Sequence, residues 1–317
     1  MKDLSILITA RNEQFLRRTV EDLLEHKRGD IEIIVGLDGK WSDPPLEQHP
    51  NVVVYYVPES IGQRAMLNKL CRLARSRYVM KLDAHCSVSE GFDLKMLAGF
   101  EKCGDDCVFA PTMKNLHAFN WLCECGHTHY QDKGSVCPKC SNEMKQEIIW
   151  ISKLSPNSTA YCFDPTPHFD YHGAWKRKQA GDYPESMSLQ GSCFMLTKDN
   201  WFKLNICDEE FGSWGSQGIE VACKFWLSGR KVLVNRTCYY SHVFRTKSQN
   251  GFGFPYPLSG SQVSHAKNAA KELFFKNKWP LQTRPLSWLV ERFSPPKWTE
   301  EDLKEIKQYD NCIVNKI

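Results

Sequence analysis

The stretch Tyr78-Val79-Met80-Lys81-Leu82-Asp83-Ala84-His85-Cys86 decides the fold of this chain. It starts as an apolar run with one basic residue and ends abruptly in a carboxylate, a small residue and an imidazole. A short apolar run of this kind is typical of a buried strand in a parallel sheet. Open α/β sheets bind their ligands beyond the carboxyl ends of the strands. The sequence therefore predicts an α/β fold with a ligand site at Asp83 and His85.

Asp83 and His85 are also a candidate metal pair. Side chains alternate along an extended chain, so these two project to the same side. One oxygen and one nitrogen suit Mn²⁺, or alternatively Mg²⁺, with a phosphate-bearing ligand and water in the remaining positions. The alternative is a strand-end Asp that caps the next turn beside an unrelated His.

The segments before this stretch repeat the same arrangement. Residues 4–9, 31–37 and 51–57 have the composition of strands, and apolar residues recur with helical spacing between them. Strands that alternate with helices indicate right-handed βαβ units and a Rossmann-like, mostly parallel sheet.

Each predicted strand ends in polar residues, which would line one edge of the sheet. This pattern is typical of a nucleotide site, with Asp38 accepting from a base N–H, Glu13 facing a ribose hydroxyl and Arg64 near base or phosphate. No G-x-G-x-x-G or Walker pattern follows a strand, which disfavours dinucleotide and P-loop sites. The predicted nucleotide-binding residues are Thr9, Arg11, Glu13, Asp38, Arg64 and Asp83.

The composition is that of an ordinary soluble globular protein, with 42% hydrophobic residues and a net charge of +4 in 317 residues. This charge permits a local basic patch but does not predict nucleic-acid binding. No run approaches the roughly 18 apolar residues of a membrane span, and no signal peptide is visible. We therefore expect a cytoplasmic protein without a membrane partner, whose 14 Cys are reduced thiols and metal ligands. The oligomeric state stays open.

Three blocks of sequence resemble nucleotide-sugar-dependent glycosyltransferases of the GT-A fold. They are Ile-Thr-Ala-Arg-Asn-Glu at 8–13, Gly-Leu-Asp-Gly at 36–39 and Lys-Leu-Asp-Ala-His-Cys at 81–86. The Asp-Ala-His form resembles the polypeptide N-acetylgalactosaminyltransferases. The likeness resumes in the same order at residues 189–194, 214–220, 225–230 and 241–245, so it covers about half of the chain.

This resemblance implies a metal-dependent transferase that uses a UDP-sugar. In that family the His before Val-Phe-Arg completes the metal site, so His242 is the candidate third ligand of Mn²⁺ beside Asp83 and His85. Arg245 would assist at the donor diphosphate. The resemblance also implies retention of configuration by front-face attack, without a strong enzymic base. The alternative for His242 is a satisfied core histidine.

One block departs from the family pattern. Trp-Gly-Gly-Glu-Asn is replaced by Trp214-Gly215-Ser216-Gln217-Gly218, which exchanges a carboxylate for an amide. Gln217 can donate and accept hydrogen bonds but cannot act as a general base. Glu220, one helical turn further on, is the candidate base; otherwise the metal and the donor carry most of the catalysis.

Two close cysteine pairs lie in a segment without counterpart in the compact fold. Cys123 and Cys125 form a C-x-C pair, and Cys137 and Cys140 form a C-P-x-C pair. This pattern predicts a small zinc-ribbon insertion whose Zn²⁺ is structural, because four protein ligands leave no open position. His127 or His129 can replace one cysteine, and the alternative is a loop with four chance thiols.

The acceptor is predicted from the segments after this insertion. Aromatics at residues 165–184 interleave with Lys176-Arg177-Lys178, and a Gly/aromatic loop at 249–257 lies where a flexible segment would cover the donor diphosphate. A cytoplasmic, zinc-bearing form of this fold resembles phage-type enzymes that glycosylate 5-hydroxymethylcytosine in DNA. We therefore predict a DNA hydroxymethyl acceptor, with base extrusion if the DNA is a duplex. Protein, peptide or glycan acceptors are alternatives, as is a non-catalytic nucleic-acid-binding module on a degenerate GT-A scaffold.

These predictions divide the chain into four parts. Residues 1–110 form the nucleotide-sugar-binding half of the GT-A domain, and residues 111–150 form the zinc-ribbon insertion. Residues 151–258 form the acceptor and catalytic half, and residues 259–317 form a helical tail that packs on the catalytic domain.

Overall fold

A computed structural model of the chain describes residues 2–245, 252–254, 256 and 259–314. Its strands are β1 (Leu4–Ala10), β2 (Ile31–Asp38), β3 (Val52–Val57), β4 (Tyr78–Leu82), β5 (Cys86–Val88), β6 (Cys107–Leu122), β7 (Thr128–Tyr130), β8 (Lys145–Ser158), β9 (Tyr161–Phe163), β10 (Phe169–Tyr171), β11 (Cys193–Thr197) and β12 (Lys231–His242). Its helices are α1 (Leu16–His26), α2 (Gln63–Leu73), α3 (Phe92–Cys103), α4 (Gly173–Lys176), α5 (Lys198–Lys203), α6 (Gln217–Leu227), α7 (Gly260–Ala270), α8 (Leu286–Phe293), α9 (Glu300–Lys307) and α10 (Asn311–Val314).

The central sheet has the order β3-β2-β1-β4-β11-β6-β12-β5, with β7 and β8 added on β6. Strands β1 to β4 are parallel, as the βαβ pattern predicts. β11 enters antiparallel between β4 and β6, and β12 runs parallel to β6. The sheet is therefore mixed, because β5, β7 and β8 also pair antiparallel with their neighbours.

Two cores cover the two faces of this sheet, and β1 shows why. Leu7 packs with α2 and α6 in one core, whereas Ile6 and Ile8 pack with α1 and α3 in the other. Successive side chains of a strand point to opposite faces, so a strand covered on both sides must be apolar throughout. The carboxyl ends of β1, β2 and β4 therefore meet at one edge.

The segment around the cysteines is a long hairpin rather than a detached module. Its strands β6 and β8 pair antiparallel, and β6 continues out of the central sheet across residue 111, where the insertion was predicted to begin. Both cysteine pairs lie near the tip of this hairpin, around the short strand β7. A third core joins the hairpin to the rest of the domain and includes Phe15, Phe119, Trp121, Trp150, Val243 and Phe252.

The helices after residue 259 complete one of the two large cores. Helix α7 begins at a capping box made by Ser259 and Gln262 and continues as a π-helical turn, Lys271–Phe275. Phe293 of α8 packs its ring 5.4 Å from that of Trp226 in α6. Within the described parts of the chain, no helix is both long and apolar enough to cross a bilayer.

Candidate active site

A cleft of about 780 Å³ opens at the carboxyl ends of the strands. The end of β1, the loop after β2, the end of β4, the loop before α6 and the segment after β12 all contribute to its wall. Its polar lining includes Thr9, Arg11, Glu13, Asp38, Lys81, Asp83, His85, Gln190, Gln217, His242, Arg245, Gln262 and Lys267. Most residues predicted for the site therefore lie together around one cavity.

Asp83, His85 and His242 converge on the floor of this cleft. One ligand atom from each lies within 4.8 Å of the others, and His242 Nε2 is 3.3 Å from Asp83 Oδ2. Asp83 and His85 follow β4, whereas His242 ends β12 and pairs with Cys86 across the β12–β5 ladder. The sheet thus brings a residue 159 positions away to the Asp-Ala-His motif.

The electrostatics of this trio suit a divalent cation. Burial lowers the pKa of His242 to about 4, so its imidazole is neutral at neutral pH, the form that ligates metals. Burial alone would raise the pKa of Asp83, but Lys81, His242 and His85 outweigh it and hold the carboxylate ionised. Nδ1 of His85 and Nδ1 of His242 are both buried and have no hydrogen-bond partner among the residues that the structure describes. A carboxylate and two imidazoles are therefore available for Mn²⁺ or a similar ion.

Glu13, predicted to face a ribose hydroxyl, lies in the cleft wall beside this trio. Its Oε1 accepts a hydrogen bond from Arg245 Nη2, and its Oε2 is 3.3 Å from His85 Nδ1. Burial alone would raise the pKa of Glu13, but His85 and Arg245 hold it below its ordinary value. Glu13 is thus an ionised, buried carboxylate engaged by two side chains of its own chain.

The Asp38 carboxylate accepts hydrogen bonds from the loop that follows β3. The donors are Ser60 Oγ at 2.8 Å, the Ile61 N–H at 2.7 Å and the Gly62 N–H at 3.1 Å. A carboxylate that accepts from three donors fixes the turn into α2, and the predicted contact with a base N–H stays a prediction. Asp38 still lines the cleft and shapes its wall.

Arg64 and Glu220 form a buried ion pair instead of the predicted nucleotide contact and general base. Arg64 is 1% exposed and Glu220 0%, and the guanidinium also donates to the Gly215 carbonyl at 2.7 Å. Glu220 accepts from Lys224 Nζ at 3.0 Å as well. Burial would raise the pKa of Glu220, but Arg64 and Lys224 outweigh it and lower it. These two residues tie α2 to α6 and do not reach the cleft, which corrects both predictions.

Gln217, Thr9 and Arg11 lie where the sequence predicts them, in the wall of the cleft. Gln217 Nε2 donates to Cys207 Sγ at 3.1 Å, and the side chain lies against Gly191. The Arg11 guanidinium stacks over the Tyr256 ring at 5.4 Å. An amide therefore stands where the family pattern has a carboxylate.

The Gly/aromatic loop predicted at 249–257 lies partly outside the described residues. Phe254 and Tyr256 line the cleft, and Arg245 Nη1 donates to the Gly253 carbonyl at 2.6 Å. Arg245 also lies over the rings of Phe252 and Phe254, at 4.6 and 4.9 Å. The described part of this loop is thus held next to the predicted diphosphate residue.

Among the aromatics of residues 165–184, His172 and Trp175 serve packing, whereas Tyr171 is exposed. His172 Nε2 lies 2.8 Å from the Phe293 carbonyl, and Trp175 donates to the Glu185 carbonyl at 2.8 Å while stacking on Phe293. His168 and Phe169 do line the cleft. The basic run after Trp175 is exposed.

Two groups of cleft residues were not predicted from the sequence. Lys81 appears in the sequence only as an interruption of an apolar run, yet its buried ammonium contacts Asp83 and donates to the Gly191 carbonyl at 2.5 Å. A lysine inside a buried strand is itself the signal that could have identified it. Gln262, Val263 and Lys267 of α7 also reach the cleft, which no local pattern indicates.

The four cysteines predicted to bind zinc form one cluster. Their sulfurs lie within 4.8 Å of one another, with Cys123 Sγ 3.4 Å from Cys140 Sγ and Cys125 Sγ 3.7 Å from Cys137 Sγ. Tetrahedral Zn²⁺ with bonds of about 2.3 Å places neighbouring sulfurs about 3.8 Å apart. His129 Nε2 instead contacts the Gly134 carbonyl at 2.7 Å, so the cluster consists of sulfur alone.

Comparison with known proteins gives a consistent result. Residues 5–121 match the family model described as Glycosyl transferase family 2. A putative polypeptide N-acetylgalactosaminyltransferase 13 of Drosophila melanogaster is 24% identical over 283 residues, which are 84% of this chain and 45% of the fly protein. A probable N-acetylgalactosaminyltransferase 9 of Caenorhabditis elegans is 22% identical over 301 residues, which are 82% of this chain and 48% of the worm protein.

A solved structure shows the same fold. GalNAc-T7, crystallised with UDP, GalNAc and Mn²⁺, superposes with a TM-score of 0.64 at 17% identity, over 98% of this chain and 54% of that one. This likeness confirms the predicted GT-A fold. The chain spans about half the length of the fly and worm relatives. The match over residues 5–121 is thus to a glycosyltransferase family, and the relatives that align with most of this chain are named as N-acetylgalactosaminyltransferases.

Proposed function

We propose that this protein is a glycosyltransferase, which moves a sugar from a UDP-sugar to an acceptor hydroxyl with the help of a divalent cation, most suitably Mn²⁺. The observation that carries this proposal is the convergence of Asp83, His85 and His242 on the floor of the cleft. GalNAc-T7, which shares the fold, is a protein crystallised with UDP, GalNAc and Mn²⁺. A bound divalent cation would neutralise the charge that develops on the diphosphate leaving group.

The chain's own residues would bind and orient the donor around that ion. Thr9 and Arg11 lie at the end of β1, where the nucleotide is expected, and Asp38 shapes the wall beside them. Arg245 lies next to the metal trio and under the aromatic loop, so its guanidinium is placed to contact the diphosphate.

The same cleft supports a retaining reaction without an enzymic base. The acidic residues in its described lining are Glu13, Asp38 and Asp83, and each is engaged by donors of this chain. Glu220 is buried in an ion pair, and Gln217 carries no proton-accepting carboxylate. Front-face attack with retention, as the family resemblance implies, requires no such base, so we propose this stereochemistry.

For the acceptor, we propose a hydroxyl of a protein or peptide. The relatives that match most of this chain are named as N-acetylgalactosaminyltransferases, and the fly protein as a polypeptide one. Neither these relatives nor the structural neighbour supports the DNA hydroxymethyl acceptor predicted from the sequence. The packing of His172 and Trp175 weakens part of the argument for DNA, since His172 is buried and the partly buried Trp175 packs against Phe293, which leaves little ring surface for stacking on bases.

We also propose that the four hairpin cysteines bind one structural Zn²⁺. Their sulfur spacing fits tetrahedral coordination, and four thiolates leave no open position for a substrate. Two short turns supply them, each closed by a backbone hydrogen bond of 2.9 Å, from Gly126 to Cys123 and from Ser141 to Cys137. The hairpin tip would be folded by the metal, because its own apolar core is small.

The proposed reaction can be tested by mass spectrometry with Mn²⁺ and a panel of nucleotide sugars. Ser/Thr-containing peptides and 5-hydroxymethylcytosine DNA are offered as separate acceptors. A sugar-sized mass gain on peptide that disappears in Asp83→Ala supports the proposal, and a gain on DNA alone overturns the proposed acceptor. A protein that neither transfers nor releases UDP from any donor would be a binding module, and the proposed activity would be wrong.

A further inference from the structure

We infer that Glu13 is a positioning residue of the metal site, which orients the His85 imidazole and links it to Arg245 and the aromatic segment over the cleft. This inference rests on the proposed divalent cation at Asp83, His85 and His242. It assigns Glu13 a role different from the ribose contact that its place at the end of β1 suggests.

The Glu13 carboxylate lies against the His85 ring in a buried position. Glu13 is 8% exposed and His85 6%, and Glu13 Oε2 lies 3.3 Å from His85 Nδ1. Both atoms are buried and neither has a hydrogen-bond partner among the described residues, so each leaves the other as an available partner at 3.3 Å. A buried ionised oxygen left unpaired costs free energy, so the nearby ring nitrogen is its natural donor.

The tautomer of a histidine decides which of its ring nitrogens can bind a metal. A proton on Nδ1, donated to Glu13, leaves the lone pair of Nε2 free for the metal. Carboxylates in this position fix the tautomer and the ring orientation of the ligand, and their loss typically reduces metal affinity by about 10- to 100-fold. Glu13 therefore prepares His85 for the cation without touching the cation itself.

The other oxygen of Glu13 connects the His85 contact to Arg245. Oε1 accepts from Arg245 Nη2, while the same guanidinium donates to the Gly253 carbonyl at 2.6 Å and lies 4.6 Å over the Phe252 ring. Phe252 in turn packs edge-on against His85, with ring centroids 5.4 Å apart. Glu13, Arg245, Phe252 and His85 thus contact one another in a ring. The orientation of the metal ligand His85 and the position of the segment over the cleft therefore both depend on the Glu13 carboxylate.

The test measures Mn²⁺ affinity directly, by electron paramagnetic resonance of free Mn²⁺ in titrations without nucleotide. We expect Glu13→Gln to bind Mn²⁺ at least about 10-fold more weakly than the unmodified protein. Glu32→Gln is the matched control, because Glu32 is a buried glutamate bonded to Ser5 and Arg75, away from the cleft. Unchanged Mn²⁺ affinity in a folded Glu13→Gln protein would overturn the inference.

A second experiment distinguishes this role of Glu13 from a contact with the ribose. UDP and 2′- and 3′-deoxy-UDP are compared at saturating Mn²⁺ in the unmodified protein and in Glu13→Gln. If Glu13 orients His85, the preference for UDP over the deoxy analogues is the same in both proteins. If that preference disappears only in Glu13→Gln, Glu13 binds the ribose and the inference is wrong.

A third measurement requires no variant and so does not depend on the folding of Glu13→Gln. Long-range ¹H–¹⁵N spectra of the unmodified protein report the tautomer of each neutral imidazole. We expect His85 to carry its proton on Nδ1, and an Nε2-protonated ring would contradict the proposed role of Glu13. If the unmodified protein binds no Mn²⁺ at all, and Asp83→Ala changes nothing, the proposed metal site fails rather than this inference.

Discussion

At the residue scale, Lys81 and Asp83 show how a buried charge is held in an apolar strand. Lys81 is 1% exposed, and its ammonium contacts the Asp83 carboxylate and the Gly191 carbonyl. Removing one partner of a buried ion pair leaves an uncompensated charge. The resulting loss of stability is larger than the net stabilisation that the pair provides. Lys81 thus neutralises the Asp83 carboxylate, which is the proposed metal ligand.

Lys81→Met should reduce the free energy of unfolding by about 3 kcal/mol. The reason is that the Asp83 carboxylate loses its nearest cation while the methionine retains most of the packing. Bound Mn²⁺ supplies positive charge at the same carboxylate, so Mn²⁺ should raise the melting temperature of Lys81→Met more than that of the unmodified protein. Differential scanning calorimetry with and without Mn²⁺ measures both quantities, and equal Mn²⁺ effects in the two proteins would contradict this account.

His242 should make the metal-free protein less stable as the pH falls. Its folded pKa of about 4 lies below the ordinary value of 6.5, because burial disfavours the charged ring. The unfolded chain therefore binds the proton more readily, so this contribution is complete above pH 6.5 and is lost between pH 6.5 and 4. Between pH 7 and pH 5 the loss should be about 2 kcal/mol.

Urea unfolding at the two pH values, with divalent cations removed, measures this dependence. His242→Gln serves as the comparison, since a neutral amide of similar size has no proton to bind in this range. An equally steep fall in His242→Gln would assign the pH dependence to other groups.

At the element scale, the ion pair between Arg64 and Glu220 fixes α2 against α6. We expect Glu220→Gln to lower the free energy of unfolding by about 3 kcal/mol, since it leaves the Arg64 guanidinium buried without its carboxylate. The kcat of the folded protein should stay close to that of the unmodified enzyme, because Glu220 does not reach the cleft. Chemical denaturation and steady-state kinetics together separate the two effects, and a collapse of kcat without loss of stability would restore Glu220 as a base.

The hairpin of β6 and β8 should depend on its proposed zinc. We expect Cys137→Ser to lower the zinc content measured by atomic spectroscopy and to increase amide exchange at residues 123–144. Exchange in β1 and β4 should change little, because those strands belong to other cores. Cys103→Ser is the matched control, since Cys103 is exposed and lies outside the cluster. Equal zinc content in all three proteins would exclude this site.

The contacts between elements decide which parts of the site the sequence could predict. Alternation along β4 places Asp83 beside His85 from local geometry alone. The pairing of Glu13 with Arg245 joins residues 232 positions apart, and that of Arg64 with Glu220 joins residues 156 apart. Polar residues at strand ends are all equivalent in a sequence, and only the folded chain shows which of them are already paired.

At the scale of the whole molecule, the exposed run Lys176, Arg177 and Lys178 distinguishes a nucleic-acid acceptor from a peptide. Replacing all three by Ala should leave the rate of peptide glycosylation and its salt dependence nearly unchanged, because the run lies outside the cleft lining. A duplex DNA acceptor would instead lose up to three phosphate contacts, which would weaken binding and reduce the slope of log K against log salt by up to about 3. Transfer rates at several salt concentrations measure the effect, with Lys297→Ala as a control for removing an exposed cation that pairs with Asp170. If the triple variant loses transfer only to DNA, and does so most strongly at low salt, the acceptor is nucleic acid and the peptide assignment is wrong.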